Sequence, residues 1–63
     1  MFMTPEDLKQ WRINNGYTQA LLAKALDTHV ITISRWENGA RDITPFLHLA
    51  LDALEYKAKE VKK

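Results

Sequence analysis

The stretch TQALLAKALDTHVITISRWENG, running from Thr18 to Gly39, decides the fold. Thr18 offers a hydroxyl to cap a helix, and apolar spacing predicts that helix over Gln19–Leu26, with Leu22, Ala23 and Leu26 buried. Asp27-Thr28-His29 is a tight turn. A second helix follows from Val30 to Glu37, and Asn38-Gly39 stops it. Val30-Ile31-Thr32-Ile33 is β-branched but lies between a turn and a helical stop, so it is assigned to the helix. Two helices this closely joined cross steeply only if a small residue lets their backbones approach. Ala23, opposite Ile33, is that residue, and Leu22, Leu26, Ile33 and Trp36 form the shared core. The second helix opens too rich in apolar and hydroxyl side chains for an ordinary solvent-facing surface.

Outward from this stretch, Thr4-Pro5-Glu6-Asp7 is a strong helix opening: a capping hydroxyl, proline at the first helical position and two acids at the positive end of the dipole. That helix is predicted over Pro5–Asn14, with Leu8 and Trp11 inward, and Asn15-Gly16 ends it with a left-handed glycine. Tyr17 then acts as a staple against Leu22. After a short connection at Ala40–Ile43, Thr44-Pro45 is a second cap-plus-proline opening. The last helix runs from Pro45 into a fraying Lys57–Lys63 tail. Met1–Met3 is a loose start from which Phe2 can fold back onto the core. Strand signals, repeats and low-complexity linkers are absent. The expectation is a compact all-α fold of four helices in one domain, residues 1–63, with its core over residues 4–56 and a frayed tail at 57–63.

Composition removes several functional classes. A chain of 63 residues buries only about 60% of the surface its unfolded form exposes. Cysteine is absent, which excludes disulfides and thiolate metal sites and fits a reducing compartment. His29 and His48 lack metal-ligand spacing and read as turn and surface residues, so no metal and no cofactor are expected. No apolar run approaches the roughly 20 residues of a membrane span, and no secretory signal opens the chain, which gives a cytoplasmic protein. No nucleophile–base pair and no phosphate-cradling glycine loop is present, so neither an enzyme nor a small-molecule ligand is expected. Net charge is +1, from nine basic and eight acidic residues, and the basic residues form no patch along the sequence. Nucleic-acid binding must therefore come from geometry, with few phosphate contacts per subunit.

Thr18-Gln19, Leu22-Ala23, Leu26 and the run Thr32-Ile33-Ser34-Arg35-Trp36-Glu37-Asn38-Gly39 resemble the Cro/CI family of helix-turn-helix proteins, the lambda-repressor-like class of phage and bacterial repressors, over Leu8 to Leu54. Members of that class are the standard illustration of a recognition helix docked in the major groove. The resemblance implies a DNA-binding regulator, most readily a repressor, acting on double-stranded DNA. Gln19 and Asn38 match family residues that hydrogen-bond phosphates. Val30, Ile31, Ser34 and Arg35 match positions that read base edges. Arg12 and Glu37 match a partly buried ion pair. Three positions depart from the family: Asp27 stands where glycine is favoured, Thr28 replaces an aliphatic residue, and His29 replaces a better cap.

Side-chain chemistry at the reading positions stands on its own. Arg35 can donate two parallel hydrogen bonds to guanine O6 and N7, worth about 1–3 kcal/mol of discrimination, while Val30 and Ile31 can pack on the thymine methyl. Thr32 and Ser34 are short enough to reach phosphate or base, and Arg41 is a further candidate phosphate contact. The last helix carries more apolar surface than one core needs. Phe46 to Tyr56 spread apolar side chains over about 220° of the wheel at 3.6 residues per turn, against a stripe somewhat over 100° for a helix packed on one core. Phe46, Leu49, Ala53 and Tyr56 are left on one flank. A two-fold homodimer on a palindromic operator uses them, setting two recognition helices about 34 Å apart. The competing expectation is a protein-interaction module, or an antitoxin-like partner binder, using the same flank.

Overall fold

The computed structural model describes residues 3–61, with side chains described through Lys57. The expected fold-back of Phe2 falls outside the described residues, as do Lys62 and Lys63 at the end of the tail. Among the described residues four helices account for the regular structure: α1 (Pro5–Asn14), α2 (Gln19–Ala25), α3 (Val30–Glu37) and α4 (Leu47–Val61). Among the described residues there is no strand.

Each start is set by local chemistry. Before α1, the Thr4 hydroxyl accepts from the Asp7 N–H at 3.1 Å and the Asp7 carboxylate accepts from the Thr4 N–H at 3.1 Å. This reciprocal pair satisfies two backbone donors that a helix start leaves open. Thr18 caps α2 by accepting from the Leu21 N–H at 3.0 Å. His29, which opens α3, is extended and makes no side-chain capping bond.

The ends of α1, α2 and α3 share one closure. After α1 the Gly16 and Tyr17 N–H groups donate back to the Ile13 and Arg12 carbonyls, both at 3.0 Å. After α2, Asp27 donates to Lys24 at 3.1 Å and Thr28 to Ala23 at 2.8 Å. After α3, Gly39 donates to Trp36 at 3.4 Å and Ala40 to Arg35 at 2.9 Å. Each closure needs one residue at positive φ, and the three are Gly16 (+78°), Asp27 (+56°) and Gly39 (+79°). The backbone thus makes the glycine-type turn after α2 with an aspartate. The cost is about 1 kcal/mol, which Asp tolerates better than most side chains.

The core is one cluster fed by all four helices: Leu8 from α1, Leu22 and Ala23 from α2, Ile33 and Trp36 from α3, Leu47 and Leu51 from α4. Leu8, Leu22, Ile33 and Leu51 are completely buried, each worth about 1.5–3 kcal/mol in apolar surface removed from water. Trp11 and Tyr17 stack at 5.7 Å between ring centroids and 11° between planes, and both lie against the cluster. Ala23 is buried on α2, in the cluster it shares with Ile33 and Trp36 of α3.

Two boundaries differ from the sequence expectation. α2 ends at Ala25, and Leu26 is its C-cap. α4 begins at Leu47, two residues beyond Pro45. The Leu47 N–H donates to the Thr44 carbonyl at 3.1 Å, three residues back, so Pro45 and Phe46 form a tight turn ahead of the helical ladder. That turn leaves Phe46 in solvent and delivers Leu47 to the core.

Candidate nucleic-acid interface

The helical period divides α3 into two faces. At about 100° per residue, Val30, Ile31, Ser34 and Arg35 fall within an arc of about 140°, and Ile33 and Trp36 lie on the opposite side. The structure follows that division. Ile33 and Trp36 are buried, Val30 is 47% and Ile31 55% exposed, Arg35 is exposed, and Ser34 is half-buried. The four candidate base-reading residues therefore share one outward face. Thr32 is half-buried beside that arc.

The outward face suits a base edge chemically. Two branched aliphatic side chains present only methyl groups, and a hydroxyl and a guanidinium lie beside them. Among the described residues Arg35 has no ion-pair partner, so its donors are open to an incoming acceptor.

At the C-terminal end of α3 lies a charged network. The Arg12 guanidinium of α1 donates to Glu37, Nε to Oε2 at 2.6 Å and Nη2 to Oε1 at 3.1 Å, and its Nη1 donates to the Tyr17 carbonyl at 3.1 Å. Glu37, the last residue of α3, also accepts from Gln19 Nε2 at 3.1 Å. The Arg12 and Glu37 side chains are only 13% and 6% exposed. Burial alone works against a charged Glu37. Hydrogen bonds from Arg12 and Gln19, with Coulombic attraction from Arg12 and Lys9, outweigh it and hold the carboxyl below its ordinary value of 4.5. The network joins the C-terminal end of α3 to α1 and to the first residue of α2.

Gln19, one of the two amides expected from sequence to contact phosphate, belongs to this network, and the other, Asn38, follows Glu37 in the chain. Gln19 is half-buried, with one amide hydrogen engaged by Glu37. Asn38 caps α3 and is exposed; its Oδ1 accepts from the Ala40 N–H at 2.9 Å. Arg41 is exposed, and its backbone N–H donates to the Arg35 carbonyl at 3.2 Å. By sequence alone, Gln19 and Glu37 have separate roles. No spacing rule connects residues 18 apart in the chain, and only the crossing of α2 and α3 brings their side chains together.

On α4, Phe46, Leu49 and Tyr56 are 72%, 57% and 68% exposed, and Ala53 is exposed with them. The core-facing set of the same helix is Leu47, Ala50, Leu51 and Leu54, each buried or half-buried. Phe46 also borders a shallow groove floored by Leu26, Trp36 and Ala50. Among the described residues no helix is long and apolar enough to cross a membrane, and no group of His, Cys, Asp and Glu is placed to hold a metal.

A family model for the helix-turn-helix of Cro/CI type matches residues 8–51, from the buried Leu8 of α1 to the buried Leu51 of α4. No curated protein and no solved structure matches the chain.

Proposed function

The chain belongs to the Cro/CI-type helix-turn-helix family, whose members are DNA-binding transcription regulators, and from that premise we propose that it is a sequence-specific cytoplasmic repressor reading the major groove with α3. The observation that carries this reading is the exposed apolar start of α3. Val30 and Ile31 lie outside the buried cluster, and two exposed β-branched residues beside an arginine with no ion-pair partner among the described residues have their best use against thymine methyls and a guanine edge. Gln19, Asn38, Thr32 and Arg41 surround that face and supply the phosphate contacts that fix its register.

Selection of bound sequences from a random DNA pool tests the reading directly. The expected product is a site with a guanine and neighbouring thymines in each half. Arg35→Ala is expected to lose the guanine preference, about 5- to 150-fold in discrimination for one bidentate contact. A pool without a guanine preference, or the same preference in the Arg35→Ala variant, overturns it.

The protein binds as a two-fold homodimer through Phe46, Leu49, Ala53 and Tyr56. An apolar flank this exposed is commonly an interaction surface. A second copy of the chain fits it because a net charge of +1 per chain gives a lone subunit little phosphate attraction, and pairing doubles the contacts on a palindromic operator. Leu49→Glu is expected to give a folded monomer whose operator affinity is lower by about 100-fold, from loss of the linked second half-site. Sedimentation that finds the native chain monomeric at high concentration removes the homodimer. A protein-interaction module with no DNA role would bind no DNA even at low salt.

A further inference from the structure

We propose that Glu37 acts in DNA binding without touching DNA, as the positioning residue that turns the Gln19 amide toward the phosphate; this rests on the reading of Gln19 as a phosphate contact. A glutamine amide has a donor end and an acceptor end, and only the donor end can bind a phosphate oxygen. A free surface glutamine samples both orientations over several side-chain torsions, which must be ordered on binding. Here Glu37 removes the choice. An ionised carboxylate has no hydrogen to give, so it takes the Nε2 end of Gln19, at 3.1 Å on Oε1, and repels the carbonyl end. One Nε2 hydrogen is consumed, and the second stays on the same nitrogen for the phosphate.

Arg12 makes the arrangement compatible with DNA. Its two bonds to Glu37 balance a negative charge that would otherwise lie close to the phosphate. Its third bond, to the Tyr17 carbonyl, ties the guanidinium to the segment leading into α2. Glu37 is 6% exposed at the side chain, too enclosed to serve as a DNA contact itself. Because Glu37 terminates α3, the helix bearing the base-reading face and the amide on α2 are held by one carboxylate.

The test is a double-mutant cycle on the full chain, using the selected DNA site at fixed salt. Glu37→Gln keeps the shape of the side chain but can present either end of its own amide to Gln19. It is expected to weaken binding by about tenfold when Gln19 is present, and by less than about twofold in a Gln19→Ala background. A merely structural role for Glu37 predicts equal losses in both backgrounds, and that result overturns the proposal. If Gln19→Ala alone leaves affinity unchanged, Gln19 is not a phosphate contact, and the proposal falls with that reading. Folding of each variant is checked by circular dichroism at the binding temperature. Should Glu37→Gln prove unfolded, Arg12→Met/Glu37→Met carries the same cycle, because it leaves no unpaired buried charge. Loss of any effect of Gln19→Ala in that background supports the proposal, and an undiminished effect overturns it.

Discussion

A Leu22→Ala chain is expected to be mostly unfolded under conditions in which the native chain is folded. Leu22 is completely buried on α2, in a cluster to which every helix contributes. Removing a buried leucine side chain to its Cβ costs about 2–5 kcal/mol, because lost transfer energy adds to the cavity left behind. Domain stability is about 0.05–0.15 kcal/mol per residue, which for a chain this short is of the same size as the loss. The buried cluster is small, seven residues with a rim of partly buried apolar side chains such as Trp11, Tyr17 and Leu26, so little of the lost contact can be recovered elsewhere in the core. Urea unfolding followed by circular dichroism measures the effect. Leu21→Ala is the control: Leu21 is 53% exposed, and its truncation is expected to stay within about 0.5 kcal/mol. Equal losses at the two positions would reverse the assignment of the buried face of α2.

Arg12→Met is expected to destabilise by about 3–5 kcal/mol, more than the pair is worth, because it leaves the Glu37 carboxylate buried without its counter-charge. Arg12→Met/Glu37→Met, which removes both charges, is expected to recover most of that loss. The pH dependence separates these effects. Glu37 sits below its ordinary value of 4.5 in the folded chain, so the folded state holds the ionised form more firmly than the unfolded state does. Its contribution is therefore fully present above that ordinary value and disappears as pH falls through the lower folded-state value. Without Arg12, burial is no longer outweighed, and protonation relieves the variant. The stability gap between native and Arg12→Met chains is expected to be widest near neutral pH and to narrow on acidification. A gap that stays constant across this range would mean that Arg12 acts by packing alone.

Much of this architecture was legible because it is written in short-range chemistry. Thr4, Gly16, Thr18 and Gly39 act on backbone groups within a few residues, so their roles follow from spacing. The one missed capping partner, Asp7, was legible in the same way, three residues after Thr4. The buried face of α3 followed from the period that sets Ile33 and Trp36 together. What the sequence left unresolved depends on tertiary approach. Pro45 looked like the first residue of a helix; instead a tight turn precedes the ladder, since the segment must leave Ile43 and bring Leu47 into the core. The bond between Gln19 and Glu37 exists only because α2 and α3 pack against each other. The turn at Asp27-Thr28-His29 was the least ordinary stretch by composition, yet its backbone makes the same closure as the two glycine stops.

The two faces of α3 also bear on how such a protein can change its target over generations. Foldability rests on Ile33 and Trp36, and the proposed site preference rests on Val30, Ile31, Ser34 and Arg35, four other positions of the same helix. Substitutions on an outward face are usually close to neutral for stability, and Val30 and Ile31 are β-branched residues that most replacements match or exceed in helix propensity. A lineage can therefore exchange the outward set piece by piece, arriving at a new operator through a series of folded intermediates.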